Sequence, residues 1–164
     1  MATSTAQDTS KTLRESEKKW GKPAIAAGFL LFPNMLLLKQ HALGLDCIDV
    51  VIILQILKHW WHADNAPYPS QVQLAKTMNV DLSTIKRHLA RLKRDGLLKW
   101  STRTGKHGGQ IANVYDLSGL IAQVEAFAIE ELAERQKAAD ERKARSSRKR
   151  PVLRVVTQEK ADGQ

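Results

Sequence analysis

One cysteine, Cys47, is the whole thiol content of this 164-residue sequence. That excludes an internal disulfide framework and suits a reducing compartment. No apolar run reaches the roughly 18–20 residues of a membrane helix. The longest patches, AIAAGFLLFP and VVIIL, are too short. The polar opening MATSTAQDTSKTLRESEKKW lacks the apolar core of a secretory signal. The expectation is a cytoplasmic protein with no membrane partner. There is also no Walker glycine loop, no nucleophile elbow and no paired metal-binding carboxylates, and the acids are scattered. Neither an enzyme nor a cofactor is expected.

What the sequence does have is positive charge. Lys and Arg number 26 against 17 Asp and Glu, for a formal net charge of +9 and a pI near 9.9. This balance suits a polyanionic partner, either nucleic acid or an anionic surface. The charge is uneven: residues 34–120 carry 11 bases against 6 acids, 121–132 carry 3 acids and no base, and 133–164 carry 10 bases against 5 acids.

Along the chain, residues 1–27 begin Ser/Thr/Lys-rich and read as a disordered arm. PNMLLLKQHALG reads as helix with Gly44 as its stop. Asp46 is placed to cap CIDVVIILQILKHWW, where Cys47, Val50, Val51, Leu54, Leu57 and Trp61 recur at helical spacing. After the turn-forming ADNAPYPS, Ser70 and Gln73 form a capping-box pattern ahead of QVQLAKTM. Asn79 tolerates the left-handed backbone of a tight inter-helix turn. Asp81 then caps LSTIKRHLARLKR, with Gly96 as the stop. LLKWSTRT and QIANVYDL read as strands joined by GKHGG. Ser118 caps a long final helix from about Leu120 to Ala144, and residues beyond it read as a basic disordered tail over 146–164.

At ~100° per residue, Ile85, Leu89 and Leu92 share one narrow arc of the 82–94 helix. Ser83, Arg87, Ala90, Arg91 and Arg94 centre on the opposite side, with Thr84 beside them and Lys86 and Lys93 on a flank. No acid lies between Leu82 and Arg94, although a merely solvated helix would mix Glu among the cations for i,i+4 pairs. Guanidiniums bridge guanine edges or grip phosphate, hydroxyls reach both, and a small Ala90 admits close approach. Ser83, Thr84, Lys86, Arg87, Ala90, Arg91 and Arg94 are therefore the candidate DNA-reading residues. On the hairpin, Arg103, Lys106 and His107 are candidates for phosphate or minor-groove contact.

Helix, tight turn, helix and basic hairpin follow the order of a winged helix-turn-helix. The stretch LAKTMNVDLSTIKRHLARLKRDGLL resembles that motif, and NVYDLSGL is similar to the close of the wing in winged helix-turn-helix DNA-binding proteins of bacterial plasmids and phages. The resemblance implies a mainly α fold with a small β-hairpin wing over 28–118, followed by the 119–145 helix. It also implies double-stranded DNA as partner, with a role as transcriptional regulator or replication-associated factor of a mobile element. Two alternatives stay open: a winged-helix module that binds protein, and a plasmid partition protein.

His59 and His62 stand at i,i+3 near a helix end, with Asp64 and Cys47 as further candidate donors, but one such pair is a weak zinc signal, and no metal is expected. In the final helix, Ile121, Val124, Ala128, Leu132 and Arg135 trace a stripe. Either it packs back on the winged domain, or it forms a homodimer through 119–135 that presents two reading heads. Arg142, Lys143, Arg145, Arg148, Lys149 and Arg150 are candidates for nonspecific phosphate contact from the tail. The helix assignment yields a stability test. Ile85→Asp would drive an unpartnered carboxylate into the inter-helix corner and is expected to destabilise the whole domain, read as a lowered melting temperature.

Overall fold

The computed structural model describes residues 3–104 and 110–147. Within them seven helices and one hairpin follow in order: α1 (Thr3–Trp20), α2 (Lys22–Ala26), α3 (Asn34–Leu38), α4 (Cys47–Leu57), α5 (Gln71–Met78), α6 (Leu82–Arg94), β1 (Lys99–Thr104), β2 (Gln110–Asp116) and α7 (Ser118–Ser146). This is the mainly helical winged helix-turn-helix with a long final helix that the pattern predicts. The N-terminal arm differs from expectation, being helical in α1 and α2. Its composition has few apolar groups to bury, but it includes helix formers and local ties. Glu15 pairs with Lys18 one turn on, at 2.6 Å.

Local chemistry sets the helix ends. Asp46 accepts from the amide of Asp49 at 2.9 Å, and Asp49 reciprocates to the amide of Asp46 at 3.0 Å, which completes a capping box at the start of α4. Ser70 caps α5 through the amide of Gln73 at 3.0 Å. Asn79 takes the left-handed conformation, φ 52° and ψ 48°, and the Val80 amide closes the turn on the Ala75 carbonyl. Asp81 sits at the N-cap of α6 but its side chain makes no capping hydrogen bond.

The core draws Ile52, Ile53 and Ile56 from α4, Leu74 from α5, and Ile85, Leu89 and Leu92 from α6. The arc foreseen on α6 is the buried one. On α4 the expected stripe holds only in part: Val50 is buried and Leu54 and Leu57 are half-buried, but Cys47, Val51 and Trp61 are exposed, and Ile52, Ile53 and Ile56 fill the core instead. Nearly every position of CIDVVIILQIL is apolar, so the sequence carries no contrast from which to fix the inward face. The helix also ends at Leu57, short of the tryptophans.

Strands β1 and β2 pair antiparallel, with Lys99 opposite Asp116 and Trp100 opposite Tyr115, and an irregularity at Arg103 and Thr104. Tyr115 is fully buried, and its amide donates to the Pro67 carbonyl at 2.9 Å, tying the α4–α5 connection to the hairpin. Burial raises the Tyr115 phenol pKa.

The chain divides into two units, Met1–Glu125 and Ala126–Gln164. In the first, Leu120 and Val124 of α7 are buried, while Ile121 is exposed. The helical part of the second is mostly exposed, including Ile129 and Leu132, and carries the Arg135–Glu131 pair at 2.8 Å. The start of α7 is anchored by backbone. The Leu120 amide donates to Leu97, Asp116 accepts from the Ser118 amide at 2.8 Å, and Gly119 lies against Gly96. A Cβ at Gly119 would overlap the Gly96 carbonyl, a backbone atom that cannot swing aside. Gly119→Ala is therefore expected to cost about 1–3 kcal/mol, measurable by urea or thermal unfolding.

Candidate nucleic-acid interface

The outward side of α6 follows from its burial pattern. Ser83, Lys86, Arg87, Ala90 and Arg94 are exposed, and Thr84 is half-buried. Arg87 makes no ion pair among the described residues, and Arg94 reaches only its neighbour Asp95, Nε to Oδ1 at 3.1 Å. Arg87, His88, Ala90, Arg91 and Arg94 line a shallow groove of about 450 Å³. Lys93 turns toward the hairpin, its Nζ 4.7 Å from the centre of the Trp100 ring, and so braces the wing base.

Arg91 is placed differently from the expectation of an outward reader. Its Nη2 meets Asp46 Oδ2 at 2.5 Å and also Asp49 Oδ2, and its side chain is only a third exposed. A helical wheel puts Arg91 opposite Ile85, but the N-terminal end of α4 flanks α6 there and brings two carboxylates. His88 completes the cluster. It is buried, with Nδ1 2.8 Å from Asp49 Oδ1 and 3.6 Å from Asp46 Oδ2.

Burial pushes the Asp46 carboxyl up, but the Asp49 amide, the Arg91 hydrogen bond and the neighbouring His88 and Arg91 outweigh it, so its pKa falls below the ordinary 3.8. The Asp46 hydrogen bond leads in raising Arg91. Asp46, Asp49 and His88 bring one ligand atom each within 4.8 Å of one another, the spacing of a metal site. The guanidinium of Arg91, itself a cation, fills that role here.

Two members of this cluster, Asp49 and His88, left a mark in the sequence. Asp49 interrupts the aliphatic run of α4, and His88 stands one turn from Ile85 on the inward side of α6. An acid and an imidazole on two apolar faces are a signal for a buried pair.

On the hairpin, Arg103 falls in β1, at the strand irregularity. Lys106 and His107 lie outside the described residues, as do Arg148, Lys149 and Arg150 of the tail. Arg142, Lys143 and Arg145 are exposed on the last turns of α7, where Arg145 Nε donates to the Glu141 carbonyl at 3.3 Å. His59 and His62 border a separate cleft of about 620 Å³ with Trp61, Asp64 and Tyr68. Cys47 starts the same helix that His59 follows, about 18 Å away along the axis, so the two cannot share a metal.

The sequence profile of the DnaD N-terminal domain matches residues 32–137. Among solved structures, a possible transcriptional regulator from Methanosarcina mazei Go1 is 19% identical, with 63% of this chain and 82% of that one covered and a TM-score of 0.41. MarR is 26% identical over 67% of this chain and 77% of its own, with a TM-score of 0.36. The YusO protein from Bacillus subtilis is 15% identical over 90% and 99%, with a TM-score of 0.37. No curated protein matches the chain.

The cluster separates two arginines that look alike in sequence. Among the described residues, Arg91→Ala would leave the buried Asp49 with His88 as its only side-chain partner, and is expected to cost about 1–3 kcal/mol or more. Arg87→Ala should change stability by no more than about 0.5 kcal/mol. The Asp46 carboxyl has a lowered folded-state pKa, so its contribution is full above its ordinary value of 3.8 and is lost as pH falls through the folded value. Unfolding curves are therefore expected to show the wild-type advantage over Arg91→Ala at neutral pH, shrinking below about pH 4.

Proposed function

We propose, for a chain that belongs to the DnaD N-terminal domain family, that it binds duplex DNA in a sequence-preferring way through α6 and the hairpin wing. The observation that carries this reading is the outward side of α6, which presents hydroxyl, small and cationic residues with no acid anywhere from Leu82 to Arg94. Ser83 and Thr84 stand at the helix start, where a recognition helix first meets base edges. Arg87 is exposed and uncommitted to any acid among the described residues, as a base-reading or phosphate-gripping arginine must be. Arg94 and Lys86 supply phosphate contacts on either side.

The chain acts in this proposal as a transcriptional regulator or replication-associated factor of a bacterial mobile element. The resemblance of its wing-closing NVYDLSGL to plasmid and phage proteins supports that role, and plasmid partition would use the same surface. It is a binding protein rather than an enzyme, and its chemistry calls for no cofactor. Two copies joined through the 119–135 helix would present two reading heads to two half-sites. Exposed Ile121, Ile129 and Leu132 supply apolar contacts for such a pairing. A protein-binding winged module is the second reading, favoured by Phe29, Leu31 and Leu38, each more than half exposed ahead of α4.

The test is binding to duplexes selected from a random pool, followed across a salt series. Wild type should bind with log affinity falling linearly in log salt. Arg87→Ala should lose about 1–3 kcal/mol on the selected site and relax base choice at one position. Removing 140–164 should weaken all sequences alike, flattening the slope by about 0.9 for each lost phosphate contact. Salt-independent retention, or an Arg87→Ala protein that binds as wild type does, would reject α6 as the reading element. Sedimentation of a chain cut at Gly119 checks the pairing.

A further inference from the structure

Arg87, Arg91 and Arg94 recur at four and three residues along α6 and line one groove, yet their surroundings differ sharply. Arg87 meets no acid among the described residues, and Arg94 meets only its neighbour Asp95. Arg91, between them, is clasped by two carboxylates. We propose that Asp46 sets how tightly and how selectively the recognition helix holds DNA, by competing with phosphate for the Arg91 guanidinium. The proposal rests on the DNA-binding reading above.

The two carboxylates are not equivalent. Asp49 has no exposure, and its oxygens are occupied by His88, by Arg91 and by the amide of Asp46. It cannot leave. The Asp46 side chain is 44% exposed at the rim of the cluster. Its other oxygen, Oδ1, is the one that caps α4, so Oδ2 can release Arg91 without undoing the cap. A phosphate oxygen arriving from solvent would thus replace Asp46 Oδ2 while the pairing with Asp49 stays intact.

The exchange is close to balanced. A half-exposed ion pair contributes little net stability, and an arginine–phosphate contact gains from its two-pronged geometry. Asp46 therefore does not abolish the contact but sets its threshold. On random sequence, Arg91 stays with its carboxylates and the groove presents less positive charge. On a preferred site, base contacts by Arg87 and the helix start hold the backbone against the groove long enough for the exchange to occur. A carboxylate in this place lowers nonspecific affinity more than specific affinity, and their ratio decides function when competing sites are abundant.

Asp46→Asn separates charge from cap, because asparagine caps helices as well as aspartate does. Asp46→Ser, another good cap, guards against an effect peculiar to the amide. Both should melt as folded domains and bind random-sequence duplex about fivefold more tightly near 0.15 M salt, the factor that one additional released counterion gives relative to 1 M. Their log–log salt slope should steepen by about 0.9, and the ratio of selected-site to random-site affinity should fall. In an Arg91→Gln background, Asp46→Asn should leave the slope unchanged. Equal gains with and without Arg91 would show that Asp46 acts only as a diffuse charge, and would overturn the proposal. Unchanged or weaker binding by both folded variants would overturn it too. A wild type that binds no duplex would instead reject the DNA-binding reading from which the proposal starts.

Discussion

Asp49 is a carboxylate with no solvent contact, and the packing of α4 against α6 is built around keeping it satisfied. A buried ion costs several kcal/mol unless it is paired and hydrogen-bonded. Its partners come from two directions: the Asp46 amide on its own helix, and His88 and Arg91 on α6. Apolar packing of Ile52, Ile53 and Ile56 against Ile85, Leu89 and Leu92 supplies the driving force but tolerates sliding, because hydrophobic contact is non-directional. A charged hydrogen-bond cluster does not tolerate it. A register shift of one residue between α4 and α6 would strand the charge, so this cluster fixes where α6 sits.

From that point the positions of the other parts follow. Below the last turn of α6, Leu97 and Leu98 are buried and lead directly into β1, and Lys93 lies over Trp100. The hairpin is held again from the far side, where the Tyr115 amide meets Pro67 in the α4–α5 connection. The helix and wing base are thus referenced to one frame before any ligand arrives. Such preorganisation lowers the ordering cost that binding would otherwise carry. It also explains why six residues of one short helix can serve different ends: Ile85 and Leu89 hold the core, His88 and Arg91 hold the neighbour, and Arg87 and Arg94 face solvent.

Much of this was legible in the sequence because the relevant signals are local. Asn79 at the turn, Ser70 and Asp46 as caps, Gly96 as a stop and the arc of α6 all depend on a few adjacent residues, and each is found where the pattern puts it. The failures have different causes. The inward face of α4 differs from expectation because a helix apolar at nearly every position, with Asp49 itself buried, has no polar side to give a phase. The order of residues 3–26 was missed because a polar composition argues against a core, not against a helix. The partial cover of Arg91 is invisible to a helical wheel, which knows only its own helix, because the acid that reaches it arrives from 42 residues earlier in the chain. Asp49 and His88 could have been paired beforehand, since each is a polar intruder on an apolar face.

The meeting of Gly119 with Gly96 has an evolutionary side. Most joints between helices are lined with side chains, and exchanging a leucine for a valine or methionine lets a lineage adjust an angle by small, survivable steps. Here backbone lies on backbone, and there is nothing to trim. The outset of α7 can drift only by inserting or deleting residues, a coarse change. Change would therefore accumulate in the solvent-facing positions of α6 and in the hairpin, while the joint behind them stays still.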